Sequence, residues 1–211
     1  MVGCDNNKQN VSSKSREADK NNIAVLASKT RTIIFFGNSI TAGYGVDPSE
    51  AFPALIQNKI DSLKLNYKVI NAGVSGETSA GGNGRINWIL RQPVDIFVLE
   101  LGGNDGLRGI PLTETKKNLQ AIIDKVKAKY PEAKLILAGM QIPPNMGEQY
   151  TTTFKEIFPD LAAKNNMALI PFLLEGVGGD IKLNQPDRIH PTPEGHKILA
   201  KNVWNVLRDD L

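Results

Sequence analysis

Five short and almost unbroken apolar runs, at residues 32–36, 67–72, 96–101, 134–138 and 168–171, constrain this 211-residue chain more than any other feature. Each is rich in Ile, Val, Leu or Phe and is bounded by Gly, Pro or Asn, which marks strands rather than helices. A strand that is apolar at successive positions, rather than at every second one, is covered on both faces, and parallel sheets meet that condition. The cover comes from the segments between the runs. Residues 51–63 place Phe52, Leu55, Ile56, Ile60 and Leu63 on one helical face, and residues 113–129 do the same with Leu119, Ile122, Ile123 and Val126. Residues 150–165 and 193–207 complete the set, the last with Thr192 as a cap, Pro193 at the first helical position and Glu194 in the first turn. Strands alternating with helices through short connections imply right-handed crossovers, an α/β class and a three-layer α/β/α sandwich. In such a sheet a functional site lies at the carboxyl ends of the strands.

The length suits one well-buried domain, expected over residues 30–211. Ahead of it, residues 1–29 read as a disordered tether, since residues 5–22 have almost no apolar content and cannot repay the entropy of ordering. The net charge is +3, of which the first 22 residues supply +1 (four cations against three anions). The other charges alternate in sign along helix faces, so a nucleic-acid footprint is excluded. The longest apolar stretches are far shorter than a bilayer span of about 20 residues. The single cysteine, Cys4, excludes an intrachain disulfide and a cysteine-based zinc site. Its setting, Val2-Gly3-Cys4 before a polar stretch, resembles the end of a bacterial lipoprotein signal without its apolar part. That reading makes Cys4 a lipidation site and the location periplasmic or cell-envelope; the plainer reading is an incidental cysteine in a polar terminus.

Four clusters of small and polar residues end the apolar runs or open helices. At Gly37-Asn38-Ser39-Ile40-Thr41-Ala42-Gly43 a hydroxyl is delivered to the mouth of a strand, in surroundings small enough for a substrate to approach. The alternative role for Ser39 is a helix cap. Asp187 and His190 share one short turn, so the carboxylate can orient the imidazole, which in turn can take the Ser39 proton. Asn104 offers side-chain donors after two glycines, and Gly76 offers its backbone N–H, so Ser39 N–H, Gly76 N–H and the Asn104 amide make a candidate oxyanion hole. Activity is then expected to rise with pH as an imidazole sheds its proton. His196, six residues beyond His190, reads as a surface or partly buried helix residue, and the pair lacks the spacing of a helical zinc site. No metal and no organic cofactor are called for.

Gly-Asn-Ser-Ile-Thr-Ala-Gly-Tyr, Val-Ser-Gly-Glu-Thr-Ser, Glu-Leu-Gly-Gly-Asn-Asp-Gly-Leu-Arg-Gly and Asp-Arg-Ile-His-Pro together resemble the four sequence blocks of the SGNH, or GDSL-type, hydrolases. They are most similar to the bacterial multifunctional thioesterase, lysophospholipase and arylesterase branch. The resemblance implies a flavodoxin-like five-stranded parallel sheet, a Ser39 nucleophile, a His190 base oriented by Asp187, and oxyanion donors at Ser39, Gly76 and Asn104. It implies short- to medium-chain acyl esters or thioesters as small-molecule substrates, lined by Leu107, Ile110, Ile142, Pro143 and Pro144. One position departs from the family pattern: Asn38 stands where the family usually carries Asp, and its expected role is to shape the loop. Two other readings are a carbohydrate O-deacetylase of the same superfamily and a catalytically silent binding domain. The latter finds no Gly-x-x-x-x-Gly-Lys loop, and residues 81–84 lack the spacing of a dinucleotide fingerprint.

Overall fold

The computed structural model describes Met1 and residues 30–211 of the chain, so Cys4 and all of the expected tether but Met1 lie outside the described residues. All five apolar runs are strands: β1 (Arg31–Gly37), β2 (Tyr67–Gly73), β3 (Ile96–Glu100), β4 (Lys134–Ala138) and β5 (Ala168–Ile170). They form one sheet in the order β2-β1-β3-β4-β5, and every pairing is parallel. β3 is buried along its whole length, as continuous apolar patterning requires of an interior strand.

Seven α-helices are described: α1 (Ser39–Ala42), α2 (Phe52–Ser62), α3 (Ser79–Ile89), α4 (Gly103–Leu107), α5 (Leu112–Lys129), α6 (Glu148–Asn165) and α7 (Pro193–Leu207). α2 packs with α7 on one face of the sheet, and α5 packs with α3 and α6 on the other, which gives three layers. The strongest start signal in the sequence holds in detail: Thr192 caps α7 by accepting from Gly195 N at 3.3 Å, and Pro193 occupies the first position. Among the described residues, no helix is long and apolar enough to cross a membrane.

One long helix has no counterpart in the periodicity. α3 contains Gly81, Gly82 and Gly84 and only a thin apolar stripe, Ile86 and Ile89, so its helix propensity is poor and its pattern weak. Tertiary contacts hold it instead. Gly82 lies so close to the sheet that an added Cβ would fall 2.4 Å from Leu101 Cδ1 and 3.1 Å from the Phe36 ring. Arg85 pairs with Glu77, donates to Ala72 O at 2.8 Å and lies 4.0 Å over the Phe36 ring, which ties the helix to the ends of β1 and β2. Thr78 caps the start by accepting from Gly81 N.

Two glycines in this one helix should therefore respond in opposite directions. Gly82→Ala is expected to lower unfolding stability by about 1–3 kcal/mol through overpacking against the sheet. Gly84, which has nothing within 4 Å of an added Cβ, is expected to gain up to about 1 kcal/mol as Ala. Urea denaturation of the two variants beside the parent measures both.

Candidate active site

The chain steps from β1 to β2 on one side and then crosses back from β2 over β1 to β3 on the other, so the carboxyl ends of β1 and β3 form the switch point at which a crevice opens. Ser39 stands at that point. β1 ends at Gly37, Asn38 caps α1 through its side-chain Oδ1, which accepts from Ile40 N at 2.9 Å, and Ser39 is the first helical residue. From the far end of the chain, the segment before α7 brings in the imidazole. It is anchored by a bridge between Asn184 and Pro191 and by Gln185 N donating to His190 O at 2.7 Å. Gln185 Nε2 also donates to Tyr44 O at 2.7 Å, which ties this segment to the loop after α1.

The three expected catalytic side chains meet. Ser39 Oγ lies 2.9 Å from His190 Nε2, and His190 Nδ1 lies 2.7 Å from Asp187 Oδ2. An ionised carboxylate can only accept, so Nδ1 carries the proton, Nε2 is the acceptor, and the Ser39 hydroxyl donates to it. Asp187 Oδ1 accepts from Ile189 N at 2.9 Å and His190 N at 3.0 Å. These donors, the His190 backbone N–H foremost, hold the Asp187 carboxyl down at about 2. The half-exposed ring of Tyr44 covers the imidazole, with centroids 4.6 Å apart.

The expected oxyanion donors are arranged unequally. Asn104, the second residue of α4, walls the cleft and anchors one amide hydrogen on Glu77 O at 2.9 Å, which leaves the other for a ligand. Gly76 has φ +79°, the turn conformation, and its carbonyl accepts from Arg108 at 3.1 Å. It is not among the residues that wall the cleft, and it precedes Glu77, whose carbonyl holds the Asn104 amide. Among the described residues, neither the Ser39 nor the Gly76 N–H meets an acceptor.

The cleft has a volume of about 430 Å³ and contains Ser39, His190 and Asn104. Its apolar wall is Leu107, Met140, Ile142, Pro143, Phe172, Leu174 and Ile189. Three of the expected lining residues, Leu107, Ile142 and Pro143, are therefore in place. Ile110 is not: it follows the end of α4, where its carbonyl accepts from Tyr150 Oη at 2.9 Å, outside the cleft wall. Pro144 opens a single 3-10 turn, and its side chain lies outside the described residues. Phe172 and Leu174 come from the segment after β5, which carries no periodic or motif signal that reveals them.

Glu100 and His196 are buried titratable groups to which the sequence assigns no site role. Glu100 closes β3, is 1 % exposed, and accepts from Asn38 N at 3.1 Å, Asn38 Nδ2 at 2.6 Å and Thr41 Oγ1 at 2.7 Å. A lone acidic residue at the end of an otherwise apolar strand was the available signal. Burial pushes its carboxyl up to about 7, against the pull of these donors. His196 is fully buried rather than at or near the surface, because α7 turns it under the start of α2, where Nδ1 accepts from Phe52 N at 3.2 Å. Its Nε2 meets no partner among the described residues, and burial pushes the imidazole down to about 4.

The family model described as GDSL-like lipase/acylhydrolase matches residues 35–198. The chain is 40 % identical over 179 residues to the esterase TesA of Pseudomonas aeruginosa, a match covering 84 % of this chain and 88 % of that protein. It is 37 % identical over 175 residues to the thioesterase 1/protease 1/lysophospholipase L1 of Escherichia coli, covering 82 % of each. A crystal structure of TesA superposes with a TM-score of 0.81 at 40 % identity, covering 86 % of this chain and all of that one.

The two buried groups bias stability in opposite directions. Between about pH 4.5 and 7 folded Glu100 holds a proton that the unfolded chain has lost, so its contribution falls as pH rises. Between about pH 4 and 6.5 the unfolded chain holds a proton that folded His196 lacks, so its contribution rises with pH. Each has a limiting slope of about 1.4 kcal/mol per pH unit. Where the windows overlap, Glu100→Gln is expected to make stability rise more steeply with pH than in the parent, and His196→Gln to make it fall. Urea midpoints across pH 4.5–6.5 test both signs.

Proposed function

Since the chain belongs to the GDSL-like lipase/acylhydrolase family and is a serine ester hydrolase, we propose that it cleaves short- to medium-chain acyl esters and thioesters through an acyl-enzyme on Ser39. The observation that carries this reading is the unbroken relay from Ser39 Oγ through His190 to Asp187, opening onto a cleft with an apolar wall.

In the first half-reaction His190 Nε2 takes the hydroxyl proton as Ser39 Oγ bonds to the carbonyl carbon, and the carbonyl oxygen becomes an oxyanion. The donors for that charge are the Ser39 N–H, the Asn104 amide and the Gly76 N–H; losing one such donor typically costs about 3 kcal/mol in the transition state. Asp187, anchored by two backbone N–H groups, keeps the ring in the tautomer that can accept and stabilises the imidazolium. His190 then returns the proton to the leaving oxygen or sulfur, the carbon–leaving-atom bond breaks, and the acyl group stays on Ser39. A water repeats the sequence and releases the acid. The acyl chain lies against Leu107, Met140, Ile142 and Pro143. Within this proposal residues 30–211 are the catalytic unit, and Cys4 anchors it by a lipid in the periplasm or cell envelope.

Hydrolysis of p-nitrophenyl esters from acetate to palmitate is the test. A turnover maximum at short to medium chain length is expected, with Ser39→Ala and His190→Ala losing about ten-thousand-fold or more and His196→Gln retaining most activity. Turnover confined to acetate would move the substrate class to O-acetyl groups, and a parent activity that survives Ser39→Ala would refute the acyl-enzyme.

A further inference from the structure

The cleft around Ser39 holds almost no fixed charge. Among the described residues that line it, Arg188 alone carries a permanent charge; the others are apolar residues, glycines, uncharged polar residues and His190. Arg188 is exposed and stands two residues before His190, in the turn that presents the imidazole. Its neighbour Asp187 is engaged elsewhere, on His190 Nδ1 at 2.7 Å. Among the described residues the Arg188 guanidinium is in no ion pair and meets no hydrogen-bond acceptor.

The main chain makes the choice of residue informative. Arg188 has φ +62°, the left-handed conformation that a residue with a Cβ adopts at a cost. Three described residues other than glycine have positive φ. Lys64 follows the end of α2 and Asn166 caps α6, the usual places for that conformation. Arg188 is at no helix end. The turn requires the conformation, because Asp187 Oδ1 accepts from Ile189 N and His190 N while Arg188 N donates to Gln185 O at 2.8 Å. Glycine would meet that requirement without strain. A long cation stands there instead, and its exposed side chain returns little packing for the cost.

The reaction says what part of a substrate comes near it. His190 Nε2 must deliver its proton to the leaving oxygen or sulfur, so the leaving part sits on the His190 side of the cleft, away from the acyl wall of Leu107, Met140, Ile142 and Pro143. We propose that Arg188 is a specificity-determining residue that pairs with an anionic group, a carboxylate or a phosphate, carried on the alcohol or thiol part of the substrate. The inference rests on the acyl-enzyme reading of Ser39 and specifies the leaving group that this site favours. No bond to the anion changes: the bond from the carbonyl carbon to oxygen or sulfur breaks, the proton on His190 goes to the leaving atom, and the anion departs with it. A guanidinium suits the task because its fork of donors can meet two oxygens at once. The apolar walls concentrate its field in the cleft.

Esters that share one acyl chain and one aryl ring test the proposal: p-butyryloxybenzoate, p-butyryloxyphenyl phosphate and the neutral p-butyryloxybenzamide. The readout is kcat/KM for each anionic ester divided by kcat/KM for the neutral one. Comparing that ratio between full-length variants and the parent cancels both the intrinsic reactivity of the esters and any general effect of a substitution on turnover. In Arg188→Gln the ratio for at least one anion is expected to fall about tenfold, mostly through KM. Arg188→Glu is expected to lower it further, and Arg188→Lys, which keeps the charge without the fork, to lower it less.

Raising salt from about 0.02 to 0.5 M is expected to lower the ratio in the parent and to leave that of Arg188→Gln nearly level. Arg188→Gly relieves the main chain, so it is expected to lose the ratio as Arg188→Gln does while melting no lower than the parent, and it serves if another variant does not fold. The anion whose ratio falls more, carboxylate or phosphate, is the one the site takes. Ratios within about twofold of the parent in both Arg188→Gln and Arg188→Glu overturn the proposal. A parent that leaves the neutral ester intact, or whose activity on it survives Ser39→Ala, fails the acyl-enzyme reading itself, an outcome distinct from an unchanged ratio.

Discussion

The whole site hangs on the pairing of one strand. β1 is hydrogen-bonded on both edges, and its register sets Gly37 opposite Gly73 of β2 on one side and Glu100 of β3 on the other. Three chain segments therefore leave the sheet at the same level: the Asn38–Ser39 turn, the loop carrying Gly76 and Glu77, and the Gly102–Asn104 start of α4. Val74 N donating to Gly37 O at 2.9 Å extends the ladder one step past the strand ends. β1 is buried at consecutive positions, so a slip in register would exchange the side chains packed on its two faces and force both to repack. The positions of hydroxyl, amide and main-chain donors inherit that rigidity.

Two acidic side chains border this site in opposite physical regimes. Asp187 is part-exposed and held ionised by main-chain donors of its own turn. In the proposed mechanism a carboxylate with that stabilisation keeps its proton off throughout a cycle in which the imidazole becomes positive, so it orients and compensates without exchanging protons. Glu100 is sealed from water, and burial works against its charge. The difference follows from the elements that carry them: a surface turn for Asp187, the end of an interior strand for Glu100.

What the sequence made legible divides along the same line. Strands could be read because burial on both faces writes continuous apolar runs, and the observed strands depart from those runs by no more than one residue at either end. Asp187 and His190 could be read because three residues in one turn suffice to join them. Ser39 could be read because an apolar run breaks into small residues at its position. The misses are long-range. α3 is helical through the fit of Gly82 to the sheet and the grip of Arg85, neither of which leaves a periodic trace. Ile110 lies three residues beyond Leu107, yet the end of α4 takes it out of the cleft. His196 sits near His190 in sequence, but the turn of α7 sends it under Phe52 instead. Tyr44, which covers the His190 imidazole, and Phe172, which walls the cleft, carry no local mark of either task.

In the proposed mechanism the exposure of the relay couples acyl binding to chemistry. The side chains of His190 and Asp187 are 18 % and 39 % exposed, and Leu107 and Ile189 stand 39 % and 46 % exposed as whole residues. In the open cleft, water screens the attraction between the imidazolium and Asp187, the charge pair that exists only once Ser39 has given up its proton. An acyl chain laid against the apolar wall removes water from the same space and lowers the local dielectric. The attraction then strengthens in the transition state and not in the ground state, where the imidazole is neutral. Apolar contact made several atoms away from the carbonyl is thereby converted into turnover as well as affinity, the condition under which binding energy contributes to catalysis. The apolar wall and the part-exposed triad are in this sense one device, and the length of the acyl chain sets how fully it is engaged.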